Sequence, residues 1–511
     1  MSTQQKPDYH DFELPYQNSG FDAELAHTRR QRPSCCACAC CLGCLGFLLL
    51  IVAAFVGTWY CFFTGGAPLT ISPETTIIVG PLKQDGAVDF HEAIQEKIKQ
   101  GAQPNENGFR DIVLGYGQAV FAEDRNFLET ALLYFEELGI DPETEPTLFL
   151  VPLELEAPEQ WLNIVGEGLD AVQTAAAKPH YFVPLVRKSE RDFVVMSQPL
   201  SVYAFHAKLS NALWLRAFLR FQEEDGVDDA WKDIHASLRL FRHVTINQAW
   251  HHALASRNVE SLLTPVAEVV RTFPLWTSEQ LEQTIEDLES LPVWQDRQTT
   301  LTIMQFQILD MLSSADDLSE LMDRFAGGEQ ENPMQHAFLP VTFDWNAVAK
   351  ALNHEIEVYG ELLEKSAERS LEERLELLSL HQGEVPIFIR LSDVNTWDDF
   401  LSLAHYFEEK GENSLLVSGR SKLAGTIAGE LVTWAAGELY RLQVMEESRC
   451  EALRLALALE RFHRERGHYP DELEELPLRP AVPNLEFEYR NLGDGYHLLN
   501  PVFLLEKIQG E

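Results

Sequence analysis

Six residues form the densest cluster of chemistry-bearing side chains in the sequence: His235, Arg239, His243, Asn247, His251 and His252. A spacing of four keeps neighbours on one helix face. His243 and His251 are eight apart, about 12 Å along a helix axis, too far to chelate one ion together. The helix is expected to break near Thr245. A metal or acid–base site would therefore need carboxylates from other helices, with Glu260 and Glu268 as candidates. Without such partners these are hydrogen-bonded or surface histidines.

A second cluster comprises Cys35, Cys36, Cys38, Cys40, Cys41 and Cys44. Thiolate metal ligation, S-acylation at a membrane edge and intermolecular disulfides are the chemistries open to it. Cys41-Leu-Gly-Cys44 is a C-x-x-C, but no second pair or histidine pair completes a zinc site. The plain alternative is that cysteine serves there as a small apolar residue at a helix start. Beyond residue 61 the only cysteine is Cys450, so no disulfide can staple the rest of the chain internally.

Other chemistry fails on spacing. There is no G-x-S-x-G, S-x-x-K or Walker A sequence. His354-Glu355 begins like H-E-x-x-H, but Val358 stands where the second histidine is needed. Asp393-Val-Asn395 begins like a calcium loop, but Asp398 replaces its glycine and Ala404 its final glutamate. No catalytic residue, cofactor or metal is assigned.

The elements that carry these residues start with a membrane anchor. Cys41–Phe63 holds no charge, and 23 residues at 1.5 Å each can cross a hydrocarbon core of about 30 Å. Arg29, Arg30 and Arg32 precede it, and no basic residue follows until Lys83. The positive-inside rule predicts a cytoplasmic N-terminus, an uncleaved signal anchor and an exported C-terminal body on a cell inner membrane. Residues 1–40 then form a disordered cytoplasmic tail with the cysteine-rich juxtamembrane segment. Residues 64–88 are a linker with a short strand, 89–466 a helical domain, and 467–511 a terminal module.

The 511 residues carry 80 Asp and Glu against 40 Lys and Arg, a net charge of −40. Only five of the acidic and four of the basic residues precede residue 64, so the acid is spread through the exported part. Such a field repels nucleic acid, which is excluded as a partner.

Apolar residues recur at three and four over Ile112–Leu138, Leu162–Ala177, Ala204–Phe221, Asp228–Val244, Ala249–Thr272, Ser278–Ser290, Thr299–Phe325, Trp345–Leu363, Leu371–His381, Trp397–Lys410 and Lys422–Arg466. Asp89 caps a further helix over Phe90–Gln100. The fold class is mainly α, with helical hairpins; Ala204–Val244 is one such hairpin. Small β elements are predicted near 75–88, where Thr75–Val79 is a β-branched run, and near 485–499. Thr147–Leu155 and His180–Leu200 read as extended connections, or as a small hairpin around Lys188–Arg191. Gly467 should end the long helix with positive φ, and Pro470 should prevent its continuation. Asp494-Gly495 marks a hairpin. Its edge is expected to pair with Thr75–Val79, or else to pack Phe487, Tyr489 and Leu498 on the long helix.

EALRLALALERFHRERGHYPDELEEL followed by FEYRNLGDGYHLLNP resembles the C-terminal module of uncharacterised bacterial membrane-anchored helical proteins, with its G-x-Y-P and G-D-G-Y elements. ISPETTIIVGPLKQDGAVDFHEAI and AWKDIHASLRLFRH look like the opening and middle of the same exported domain. The resemblance implies architecture and location but no activity. The G-x-Y-P helix end also resembles type II secretion pseudopilins, over a short stretch. Together these readings predict a membrane-anchored extracytoplasmic scaffold or binding protein with an envelope protein partner. The alternative is an envelope hydrolase or metal-dependent enzyme built on His235–His251.

Overall fold

Side-chain caps set where several helices begin. Asn107 Oδ1 accepts the Phe109 N–H at 3.0 Å. Thr277 and Gln280 bond reciprocally, Gln280 N–H to Thr277 Oγ1 at 3.2 Å and Thr277 N–H to Gln280 Oε1 at 2.8 Å. This computed structural model describes residues 67–99, 101–121, 127–142, 158–187, 200–247, 265–294, 297–314, 344–374, 417–478, 485–500 and 503–508, apart from 68, 367–368 and 371–372.

Its helices are α1 Phe90–Lys99, α2 Gly108–Tyr116, α3 Phe127–Glu137, α4 Pro158–Ala177, α5 Leu200–Arg220, α6 Val227–Asn247, α7 Val266–Thr272, α8 Ser278–Glu289, α9 Arg297–Ser314, α10 Trp345–Ser366 and α11 Val417–Arg466. The mainly helical class is correct. The run expected over Ile112–Leu138 is broken: Gly117, at φ 56, opens a short 3-10 turn between α2 and α3. Helix α6 ends at Asn247, within two residues of the break expected near Thr245.

Three hydrophobic cores line up along α11. The first gathers Phe90 and Ile94 of α1, Phe306 and Leu309 of α9, Leu352 of α10 and Val432 of α11. The second packs Phe109, Tyr134, Val172, Leu209 and Leu240 around Leu442. The third packs Ala217, Ile234, Phe273 and Leu281 around Leu453 and Leu457. Among the described elements only α11 contributes to all three. Its first turns lie directly on α10, where a Cβ at Gly425 would come 2.1 Å from the Val348 carbonyl oxygen. Only glycine allows that backbone approach.

The extended stretch His180–Arg187 crosses the interior between the first two cores. Side chains satisfy part of its buried backbone. Asn107 bonds both the N–H and the carbonyl of Phe182, at 2.9 and 2.7 Å. Gln95 Oε1 accepts the Leu185 N–H at 2.9 Å.

At the C-terminal end, α11 stops at Gly467, whose φ is 80 and whose N–H donates to the His463 carbonyl at 2.7 Å. Tyr469 folds back and is buried. Strands β1 Glu488–Asn491, β2 Gly495–Asn500 and β3 Phe503–Ile508 form an antiparallel sheet in the order β1-β2-β3. Tyr489 pairs with Leu498, and Leu499 with Leu504.

The N-terminal β element is corrected. Thr75–Val79 is not a strand. Ser72 O accepts the N–H groups of Thr75 and Thr76 at 3.1 and 2.9 Å. The Thr76 hydroxyl lies 3.0 Å from Ser72 O and 2.7 Å from Ile78 O. These local bonds offer the backbone an alternative to a ladder. The strand character near 75–88 reduces to one bridge, Leu82 with Val88. The terminal hairpin takes its third strand from Phe503–Ile508 instead, and packs Tyr496 and Leu498, with Tyr489 and Phe487, on the third core.

No described helix is long and apolar enough to cross a membrane. The 41–63 segment, the cysteine cluster and the tail lie outside the described residues. So do Thr147–Leu155, Lys188–Arg191, Trp397–Lys410 and all of Leu371–His381 but 373–374.

Candidate functional site

Helix α6 places His235, Arg239 and His243 one turn apart, with Asn247 as its last residue. His251, His252 and Glu260 lie outside the described residues, and Glu268 is exposed on α7. The three described side chains do not converge on a ligand position. His235 stacks on Trp231, ring centroids 6.1 Å apart, and the Trp231 indole donates to Asp287 Oδ2 at 2.8 Å. Burial lowers the His235 pKa, and the Asp287 carboxylate partly opposes it. Arg239 donates to the carbonyls of Ala176 and Ala177 at 2.8 and 3.2 Å, closing the C-terminus of α4. His243 stacks on Tyr181 at 5.4 Å. Burial, with Arg239 adding, brings its pKa down to about 4.

Tyr181 also bonds a histidine that the sequence reading passed over. The Tyr181 hydroxyl lies 2.5 Å from His206 Nε2, and His206 Nδ1 lies 2.6 Å from the Val202 carbonyl. Burial lowers the His206 pKa to about 4. Both rings are thus neutral at pH 7, and both sit inside an aromatic stack that includes Phe109. Among the described residues no group of three His, Cys, Asp or Glu could hold a metal ion.

A buried ion-pair network joins the two helices of the hairpin. Arg216 and Arg220 lie four apart on α5, and Asp229 and Asp233 four apart on α6. Arg216, 2% exposed, forks onto Asp233, fully buried, through Nε at 2.8 Å and a terminal nitrogen at 2.5 Å. Arg220 reaches Asp233 Oδ2 at 2.9 Å, and Gln173 donates to Asp233 Oδ1 at 2.5 Å. The free end of Arg216 holds Asp170 and the Gly166 carbonyl. Reciprocal four-residue spacing of two arginines and two aspartates across one loop is the signal that could have found it.

A second polar layer sits at mid-length of α11, where the cores adjoin. Arg242 donates to the Pro292 carbonyl at 2.9 Å and lies over the Trp294 ring at 5.6 Å. Arg297 lies over Tyr440 at 4.0 Å and donates to the Leu363 carbonyl. The charges of Arg242, Arg297 and Arg374 act on Glu447 from three other parts of the chain. Burial nevertheless raises the Glu447 carboxyl, against those charges and a 3.0 Å bond from Gln443. The Cys450 thiol, 3.4 Å from Glu446 Oε1, is pushed up by burial and then by that carboxylate. A thiol in that state is neither a nucleophile nor a metal ligand at neutral pH. One turn on, Arg454 binds Glu451 through two nitrogens at 2.8 and 3.0 Å and Glu289 at 2.7 Å.

Such a layer can fix helix registry or hold an anionic group. It supplies no activated nucleophile. Comparison of the chain with protein families, with curated proteins and with solved structures finds no match.

Proposed function

We propose that this chain is a single-pass, membrane-anchored binding or scaffold protein of the bacterial envelope, with its N-terminus in the cytoplasm and its helical body on the extracytoplasmic side. The charge-free Cys41–Phe63 run and the arginines before it support the location. The likeness of the GHYP and GDGY elements to anchored helical proteins supports the architecture.

One observation carries the functional half: several described groups that could do chemistry are spent on holding the body together. His206 and His243 are neutral and stacked, Cys450 is sealed as a thiol, and Arg216 and Arg454 are locked onto carboxylates. Satisfied buried networks rigidify a fold and specify one arrangement of it. A rigid acidic body on a tether suits capture of a protein partner better than turnover of a substrate.

Affinity capture of the full-length chain from detergent-solubilised native membranes, after cross-linking, tests this. One envelope protein recovered in a fixed ratio supports the reading. A monomer without partner, together with hydrolytic turnover by the pure chain that His235→Gln abolishes, overturns it.

A further inference from the structure

The segment after the apolar run is moored to α10 along one helix face. Ala67 bridges to Asp344, and its carbonyl accepts the Trp345 N–H at 3.0 Å. Asn346 Oδ1 accepts the Thr70 N–H and hydroxyl at 2.8 and 2.6 Å. Lys350 reaches Glu74 at 2.6 Å, and Asn353 donates to the carbonyls of Glu74 and Thr75 at 3.0 and 3.2 Å. Residues 346, 350 and 353 share a face by helical spacing. Leu69 and Ile78 pack inward on the first core.

The same segment turns its other apolar side chains outward. Ile71, Ile77, Val79 and Leu82 are exposed, Val79 at 60% and Leu82 at 55%. Ile77 is held at φ 64, a conformation that β-branched residues rarely adopt. Between 71 and 82 the single charge is Glu74, and it is paired with Lys350. Four exposed apolar side chains within twelve residues of a moored, nearly uncharged segment mark a contact surface.

Chain length selects the occupant. Residues 64–70 separate the apolar run from Ile71, and fully extended they span at most about 25 Å. The acidic body offers no attraction to anionic headgroups, so contact has to come from apolar burial. We infer that the 71–82 loop is a membrane-contacting foot: Ile77, Val79 and Leu82 enter the boundary between headgroups and acyl chains, and the mooring to α10 transmits that contact to the helical body. The inference rests on the reading of 41–63 as a bilayer anchor.

The test uses the full-length chain in phosphatidylcholine liposomes, with a photo-crosslinking benzoyl-phenylalanine in place of Val79. Leu82 serves as a second position and Val293, 88% exposed, as control. The expected result is co-flotation with the liposomes and lipid adducts at 79 and 82 roughly tenfold above the control. Flotation with adducts at 79 and 82 no higher than at 293, or with adducts to protein alone, overturns the foot and leaves the anchor standing. Failure to float, with 41–63 open to protease in the liposomes, overturns the anchor and the foot with it.

Discussion

Every residue of Thr75–Val79 is β-branched, yet the segment closes into turns; none of Glu488–Asn491 is, yet it forms a strand. The difference lies in what each backbone can bond to. At the C-terminal end, Leu492 N–H reaches the Gly495 carbonyl at 2.9 Å and Gly493 takes φ 85, so the chain reverses and brings β2 alongside β1. At the N-terminal end, threonine hydroxyls and the Ser72 carbonyl satisfy the backbone before any partner strand is met. Strand propensity describes fit to a sheet that already exists; it does not recruit one.

The comparison can be broken most decisively at Tyr496, which is fully buried in the third core and stands edge-on to Tyr469 at 5.2 Å. Tyr496→Ala is expected to cost about 3–5 kcal/mol in denaturant unfolding of the detergent-solubilised chain. Its hydroxyl has no hydrogen-bond partner among the described residues, so Tyr496→Phe should be neutral or slightly stabilising. If the alanine variant unfolds at the wild-type midpoint, the sheet is an appendage.

Gly467→Ala should cost about 1–2 kcal/mol by the same measurement, because alanine at φ 80 is strained. A wild-type midpoint would mean that the helix end relaxes and that turn chemistry does not set this end. At the other end, Thr76→Val removes the hydroxyl that touches Ser72 O and Ile78 O, at a cost of about 1 kcal/mol. Gain of strand signal by infrared spectroscopy in that variant would sharpen the contrast, since it would show the hydroxyl suppressing a ladder.

Ile77→Asn should raise stability by roughly 0.5–1 kcal/mol, since asparagine tolerates positive φ. A loss would show that Ile77 contributes packing that outweighs its backbone strain. The smallest effect belongs to Lys350→Met. The Lys350 hydrogen bond and charge hold the Glu74 carboxyl below its usual pKa. That contribution is present above the carboxyl's unfolded pKa and fades as pH falls through the folded one. NMR titration should find Glu74 raised toward its ordinary value in the variant, with the fold intact.

Much of the helical body was legible because its signals are local. The Asp89 cap, the stop at Gly467 and Pro470, and the apolar period of the hairpin at Ala204–Val244 each depend on residues a few positions apart. What escaped depends on long-range partners. Nothing near Arg242 announces Trp294, and Asn107 gives no local sign that it will satisfy Phe182. The histidines at 235 and 243 were found as a cluster, but burial is what chiefly lowers their pKa values, and spacing along α6 does not encode it. Phe503–Ile508 was missed as a strand because its place was given to Thr75–Val79, where propensity outran partnership.

Helix α11, threaded through all three cores, bears on how the body comes apart. No core can release it without loosening a wall of the other two, so opening at one core is coupled to its neighbours, and a force or a bound partner acting at either end of the helix is felt along all three.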